Sequence, residues 1–302
     1  MLEVITGFGV VAVIIAAGYH LALKEALGPG ARMVLANVVY LVATPALLFD
    51  ILIDTDPREI FSTGFVVIST SALIAGFLGF LLLRLRGRSK PDSLIGMLAS
   101  SYANAGNLGI PLAVYILDDA AAVVPVILFQ VAFYAPSTLT VLDLMNSSKQ
   151  ASLMRNLLQA LTNPMLMAAI AGMTVGYVRI PVPVILSEPV GLLAGAAVPL
   201  ALLVFGMSLL GSSVRPNWDV AIVVILKNFV HPLVAGLIAH LVFGMDGAAL
   251  LAAVVLAALP TAQNVLTYAL RFRTNEILAR DAGVVSTLVS FPVLILITYL
   301  LG

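Results

Sequence analysis

Long apolar segments, separated by short stretches that hold most of the charges, dominate this chain of 302 residues. Hydrophobic residues make up 61% of it, charged residues 10%, and the mean hydropathy is +1.11. Soluble domains are roughly half apolar and about a quarter charged, so most of this surface must lie in lipid. Because a bilayer-spanning helix needs about 20 apolar residues, we predict an all-α membrane protein with ten transmembrane helices: Val4–Leu23, Met33–Ile53, Phe61–Leu83, Ser93–Ile116, Ala121–Met145, Leu161–Val178, Pro189–Leu210, Trp218–Phe243, Gly247–Tyr268 and Ala282–Leu301.

Missing residue types and motifs exclude several classes of enzyme. The chain contains no cysteine, which excludes disulfides, thiol catalysis and cysteine metal sites. It has neither a G-x-x-x-x-G-K-[ST] phosphate loop nor an H-E-x-x-H motif, so ATP hydrolysis and zinc proteolysis are not expected. We therefore predict no enzymatic activity, no metal, no cofactor and no nucleic-acid partner. Glu3 precedes the first apolar segment without a basic region or a cleavage signature, which predicts that this helix is retained.

The basic residues are distributed unevenly between alternate loops, and this predicts the orientation. Even-numbered loops hold 2 of them, Arg58 and Arg179. Odd-numbered loops hold 12: Lys24, Arg32, Arg84, Arg86, Arg88, Lys90, Lys149, Arg155, Arg215, Arg271, Arg273 and Arg280. The sequence therefore predicts a multi-pass protein of the cell membrane with both termini extracytoplasmic and the connection at residues 146–160 cytoplasmic.

Three pairs of similar segments recur in the same order in the two halves, offset by 154, 160 and 157 residues: Thr44–Phe49 with Val198–Phe205, Ser71–Gly76 with His231–Gly236, and Asn104–Leu108 with Thr261–Val265. Such an order indicates an internal repeat. Residues 1–145 form the first predicted repeat, helices 1–5, and residues 161–302 the second, helices 6–10. Because five is an odd number, the second repeat must insert upside down, as in many secondary transporters.

Predicted helices 4 and 9 carry matching sets of polar, glycine and proline residues at equivalent places in the two repeats. Proline removes a backbone donor, and glycine permits unwound backbone. We expect both helices to break near the middle of the bilayer and to cross there, so that two half-helix N-termini face one point and bind a carboxylate. The predicted substrate-binding residues are Asn104, Gly106, Asn107, Gly109, Pro111, Pro260, Thr261, Gln263 and Asn264.

Three ionisable residues within the predicted helices are candidates for ion or proton coupling. Asp50 lies near the outer end of helix 2, where it is either an interfacial acid or a proton carrier. Lys227 lies well inside helix 8, where a charge is costly and needs a partner. It would neutralise a substrate carboxylate or exchange a proton, or else it snorkels or pairs with Asp143. His231, one turn further on, is either a packing donor or a proton relay.

The segment Asn104–Pro111, ending in Gly109-Ile110-Pro111-Leu112, and the segment Ala258-Leu259-Pro260 resemble the auxin efflux carrier family. That family includes plant auxin carriers and bacterial malate and malonate permeases. The resemblance extends over the whole chain and implies ten helices with two crossed, proline-broken ones. It also implies a scaffold of helices 1, 2, 6 and 7, dimerisation through helices 2 and 7, and a transport domain that moves like an elevator. A second proline that follows the helix 9 break in plant carriers is absent near Val265, which makes auxin a doubtful substrate.

The sequence thus predicts a secondary active transporter of a small organic anion, with Asn104, Asn107, Gln263 and Asn264 as ligands. Either H⁺ or Na⁺ would serve as the coupling ion. One alternative is a sodium-coupled carrier of a bulkier amphipathic anion, like the bile-acid carriers. The other is a membrane sensor that binds its ligand without transporting it.

Overall fold

The structure is a computed structural model that describes residues 2–145, 158, 161–210 and 217–302. In these residues the regular secondary structure is helical, apart from one isolated β-bridge. Short π-helical turns lie within α2, α6 and α9. The helices are α1 Leu2–Leu23, α2 Ala31–Leu52, α3 Thr63–Leu85, α4 Lys90–Ala99, α5 Ile110–Tyr115, α6 Ala120–Met145, α7 Pro164–Val178, α8 Val184–Ser208, α9 Trp218–Val242, α10 Gly247–Ala258, α11 Gln263–Phe272 and α12 Glu276–Leu301.

Predicted helix 4 corresponds to α4 and α5, and predicted helix 9 to α10 and α11. Among the described residues, 6 helices are long and apolar enough to cross a membrane, namely α2, α3, α6, α8, α9 and α12. Shorter apolar helices occur at Gly9–Leu23, Pro164–Val178 and Gly247–Ala258. The count of ten spans and the inverted repeat remain predictions. The predicted connecting loop at residues 146–160 lies, apart from Leu158, outside the described residues.

Two predicted helix starts were placed five or six residues too late in the sequence. Predicted helix 7 was expected to begin at Pro189, but α8 begins at Val184 and contains this proline in its second turn. A proline there removes one hydrogen bond without ending the helix, because only the carbonyl four residues earlier loses its partner. Predicted helix 10 was expected to begin at Ala282, but α12 begins at Glu276 and takes in charged residues of its first turns.

The chain divides into two compact units. The first comprises Met1–Ser62, Gly106–Leu128 and Gln159–Ser212, and the second comprises Thr63–Ala105, Phe129–Leu158 and Ser213–Gly302. Helices α1, α2, α7 and α8, which are the predicted helices 1, 2, 6 and 7, all lie in the first unit. Predicted helix 4 is divided between the units: α5 belongs to the first unit and α4 to the second.

Glycines allow the helices of the first unit to pack backbone against backbone. A Cβ atom at Gly18 of α1 would overlap the backbone of α8, and one at Gly206 of α8 would overlap the carbonyl of Ile15. Gly172 and Gly176 bring α7 equally close to the backbone of α2. Small residues at such positions permit the close van der Waals contact on which helix association in lipid depends.

In the second unit, α3 packs closely on α4 through Gly79 and Gly96, where added Cβ atoms would overlap side chains of the facing helix. Three tyrosines form part of its core. The ring of Tyr102 stacks on Tyr134 with centroids 6.0 Å apart and meets the ring of Tyr268 edge-on at 6.1 Å. The Tyr134 hydroxyl lies 2.6 Å from the Ser101 hydroxyl. These contacts surround the segment that follows α4.

Candidate functional site

The first interruption lies between α4 and α5. After Ala99 the chain becomes extended at residues 102–104, and a π-helical turn, Ala105–Gly109, leads into α5. The π-helical turn continues into α5 without a break, since Gly109 has φ −63° and ψ −45°. Pro111 has no N–H, and the wider turn before it accommodates the lost hydrogen bond.

The second interruption lies between α10 and α11 and has a similarly local cause. α10 ends at Ala258, and Leu259 has φ −52° and ψ 145°. The residue before a proline avoids the helical region, because the proline ring meets its backbone. Pro260 therefore accounts for the end of α10, and α11 begins again at Gln263 after two further residues.

The two extended segments pair with each other inside the second unit. The N–H of Asn104 donates to the carbonyl of Pro260 at 2.8 Å, and the N–H of Ala262 donates to the carbonyl of Tyr102 at 3.0 Å. Together these bonds make an antiparallel bridge centred on Ala103 and Thr261. In a membrane interior, backbone N–H and C=O groups that have lost their helical partners must form hydrogen bonds within the protein. The two interruptions predicted from the sequence therefore meet in a two-stranded bridge, which we call the crossing.

The side chain of Gln130 bonds the backbone of Ala103 on the edge of the bridge that faces away from Thr261. The carboxamide of Gln130, oriented with its oxygen toward the Ala103 N–H, accepts that hydrogen at 2.7 Å and donates to the Ala103 carbonyl at 3.0 Å. Gln130 is 4% exposed, so water does not compete for these bonds. Its amide takes the place that a third strand would have.

Two further side chains cap the carbonyl ends of the helices that stop at the crossing. The Thr261 hydroxyl donates to the carbonyl of Ala99 at 2.6 Å. The ammonium of Lys227 donates to the carbonyl of Ala257 at 2.7 Å. The Thr261 N–H donates to the hydroxyl of Ser286 at 3.0 Å. Because its N–H and hydroxyl are both engaged, Thr261 stabilises the frame of the crossing.

The amide side chains predicted as ligands differ from these engaged groups. In the described parts of the chain, the side chains of Asn104, Asn107, Gln263 and Asn264 make no hydrogen bonds. Asn104 is 5% exposed, whereas Gln263 and Asn264 are exposed. α11 also begins without a side-chain cap, since its N-cap residue is Ala262. The unengaged amides of Asn104, Gln263 and Asn264 and the uncapped N–H groups of α11 therefore all belong to the second unit.

The other predicted ligands are placed as follows. Pro260, like Thr261, is buried at the bridge. Gly106 and Asn107 are half-buried in the π-helical turn before α5, and Gly109 and Pro111 are buried there. These four residues belong to the first unit, so they stay predictions from the sequence.

The structure brings two of the three coupling candidates together. The ammonium of Lys227 lies 3.1 Å from Nδ1 of His231, and both side chains are buried in the second unit. Lys227 makes its polar contacts with His231 and Ala257 and does not pair with Asp143, which was one expectation for it. Asp50 is half-buried in α2 and belongs to the first unit.

Two residues of the site escaped the sequence-based reasoning. Neither Gln130 nor Ser286 is among the site residues predicted from the sequence. The signal in each case was a polar side chain in an apolar helix, which does not indicate the backbone group that it bonds.

Two comparisons with known proteins indicate the family of the chain. A family described as "Membrane transport protein" matches residues 4–298 of the chain. A relative from Rhizobium meliloti (strain 1021), with the name "Putative malonate transporter", is 27% identical over 285 residues. That match covers 90% of this chain and 88% of the relative, so it includes both interruptions.

Proposed function

Since this chain belongs to the auxin efflux carrier family of membrane transport proteins, we propose that it is a secondary active transporter of a small organic anion. It is a multi-pass membrane transporter and not an enzyme. A carboxylate is the chemical group that the crossing is best suited to bind. The substrate class, the binding site and the transport motion are our proposals.

The observation that carries the proposal is the side chain of Asn104. It is 5% exposed and makes no hydrogen bond within the described residues, while its own N–H forms part of the bridge to Pro260. Among the described residues, the buried side-chain atoms that lack a partner belong to Thr44, Ser69 and Asn228, so the amide of Asn104 keeps some accessible surface. A ligand therefore has access to an amide whose hydrogen bonds the protein leaves unmade, which favours binding there.

The N-terminus of α11 favours a negatively charged ligand. A helix N-terminus carries unpaired N–H groups and a partial positive charge, and both stabilise an anion. The exposed amides of Gln263 and Asn264 belong to the first turn of α11. They would donate to carboxylate oxygens without adding a formal charge. Asn107 remains a fourth predicted ligand on sequence grounds.

The name of the Rhizobium meliloti relative suggests a dicarboxylate as the first substrate to test. We propose malonate as the probe and monocarboxylates of similar size as competitors. Thermal unfolding in detergent reports binding directly, because a ligand of the native state raises the unfolding temperature. Malonate should raise it for the wild-type chain, and it should fail to do so for Asn104→Ala and Asn264→Ala.

Thr267→Ala is a matched control for these variants, since Thr267 is exposed on α11 one turn after Asn264. Its unfolding temperature should respond to malonate as the wild type does. Normal malonate binding by purified Asn104→Ala and Asn264→Ala would remove the site assignment. Absence of any carboxylate effect on the wild type would remove the proposed substrate class.

We further propose elevator-type alternating access and a homodimer formed through predicted helices 2 and 7. Both are implied by membership of the family. The chain contains no cysteine, so a single Thr267→Cys label is unambiguous. This cysteine should become accessible from each side of the membrane in turn during transport. Accessibility from one side under all conditions, without flux, would instead indicate a sensor, and light scattering of the purified protein tests the dimer.

A further inference from the structure

Lys227 is fully buried within α9, at 0% exposed. It belongs to a π-helical turn, Leu226–Val230, that ends two residues before Pro232. The proline has no N–H, and the wider turn before it accommodates the lost hydrogen bond. The turn directs Lys227 toward the end of α10, where its ammonium donates to the carbonyl of Ala257.

The carbonyl of Ala257 lies at the open end of a broken helix. In a continuous helix it would accept the N–H of Thr261, four residues later. That N–H instead donates to the hydroxyl of Ser286. The last carbonyls of α10 carry the partial negative charge of the helix dipole, and the ammonium of Lys227 is the cation that they meet.

The other close polar neighbour of Lys227 is an imidazole. Nδ1 of His231 lies 3.1 Å from the ammonium, so a neutral ring would accept from Lys227 there and carry its hydrogen on Nε2.

Acidic side chains of the second unit are engaged elsewhere or lie far along their helices. α10 contains no ionisable residue, and the ionisable residue of α3 is Arg84, in its last turn. Lys227 takes part in none of the ion pairs described in this unit. Those pairs join Asp219 to Arg86 and Arg88, His240 to Asp246, and Arg280 to Asp281. The other ionisable residues of α12 are Glu276 in its first turn and Tyr299 in its last.

A buried ammonium without a carboxylate partner is costly in a membrane interior. The carbonyl end of α10 offsets part of this cost, and an anion at the crossing would offset more. Ala257 precedes Pro260 by three residues, so the charge of Lys227 lies about one helical turn from the bridge.

Transporters with broken helices use such carbonyl ends, together with unwound backbone, to coordinate a coupling Na⁺. Here an amine of the protein itself holds the carbonyl. We propose that Lys227 is a built-in cation of the transport site, which replaces a coupling Na⁺ and offsets the charge of a carboxylate bound at the crossing. This inference rests on the proposed anion transport, and it predicts that transport does not require Na⁺.

The test is uptake of radiolabelled malonate into proteoliposomes that contain the full chain. Internal and external buffers contain either Na⁺ or N-methylglucamine as the cation. Wild-type uptake should be equal in the two buffers. Lys227→Ala should reduce sodium-free uptake by about tenfold or more, as expected for loss of a charge-assisted hydrogen bond. Na⁺ or methylammonium should restore part of its uptake, because a small cation would occupy the space beside the Ala257 carbonyl.

Lys24→Ala is the matched control, since Lys24 is exposed after α1 and its removal changes the net charge equally. This variant should match the wild type in both buffers. If wild-type uptake requires Na⁺, the inference is overturned, and this comparison involves no variant. Full sodium-free uptake by Lys227→Ala, or a folded Lys227→Ala that no cation restores, would overturn it as well. If the wild type takes up no carboxylate in either buffer, the proposed function itself fails.

Discussion

The carboxamide of Gln130 forms hydrogen bonds with both backbone polar groups of a single residue, Ala103. It accepts from the N–H at 2.7 Å and donates to the carbonyl at 3.0 Å. Ala103 lies in the centre of the bridge that joins the two interrupted helices. The side chain therefore satisfies the outer edge of a two-stranded element that has no further strand beside it.

Gln130→Met should destabilise the protein and weaken malonate binding. Methionine has a similar length but leaves the buried N–H of Ala103 without a partner, at a cost of about 1–3 kcal/mol, while the Ala103 carbonyl still accepts from the N–H of Ala105. The measurement is thermal unfolding in detergent, with and without malonate. Phe133→Leu is the control, since Phe133 is in the same turn and 57% exposed. An unchanged unfolding temperature and affinity in Gln130→Met would contradict the role of this side chain.

Gly206→Ala should separate α1 from α8. The added methyl group would overlap the backbone carbonyl of Ile15, and overpacking of this kind costs about 1–3 kcal/mol. The midpoint of unfolding in a denaturing detergent should fall accordingly. Gly195 lies in the same helix, and a Cβ atom added there would meet no atom within 4 Å, so Gly195→Ala should be neutral or slightly stabilising. Equal midpoints for the two variants would show that the close packing is unimportant.

Asp219→Asn should loosen the connection between the start of α9 and the loop that joins α3 to α4. The carboxylate oxygens lie 2.6 Å from Nε of Arg86 and 2.5 Å from Nε of Arg88. The aspartate side chain is 4% exposed and the arginines 41% and 47%, so the expected loss is moderate, about 1–2 kcal/mol.

High ionic strength should reduce the difference between this variant and the wild type, because the arginines are partly exposed to solvent. Asp246→Asn is the control, since Asp246 is 74% exposed in its pair with His240. A stability loss that salt leaves unchanged would indicate a packing effect instead of an electrostatic one.

The predicted orientation is testable with single cysteines in this naturally cysteine-free chain. An impermeant maleimide should label Asp54→Cys in intact cells, because loop 2 is predicted to be extracytoplasmic. Lys24→Cys should be labelled only after the membrane is permeabilised. Both positions are exposed, so a difference in labelling reports the side of the membrane. The reverse pattern would invert the predicted topology.

The two interruptions were predictable because proline and glycine act on their immediate neighbours. Pro260 changes the backbone of Leu259 in a way that requires no knowledge of the rest of the fold. The match between the halves then indicated that the breaks belong together, and the bridge of Ala103 with Thr261 confirms that they meet. Membership of the family, inferred from the same residues, is confirmed as well.

The partners of the buried polar residues were not predictable. Gln130 bonds a backbone group 27 residues away, and Lys227 bonds one 30 residues away. Such pairs depend on how α6, α9 and α10 pack, and apolar helices without a strongly polar face leave their rotation undetermined. The start of α8 was also placed wrongly, because Pro189 was taken to mark the beginning of a helix that already starts at Val184.

Ser286 makes two bonds that connect different parts of the second unit. Its hydroxyl accepts from Thr261 at 3.0 Å, and its backbone carbonyl accepts from the amide of Asn228 at 3.1 Å. The crossing and the helix that carries Lys227 are thereby fixed to the same point of α12. A carboxylate that arrives at the crossing would find its donors already pre-organised, so little of its binding free energy would be lost in ordering them.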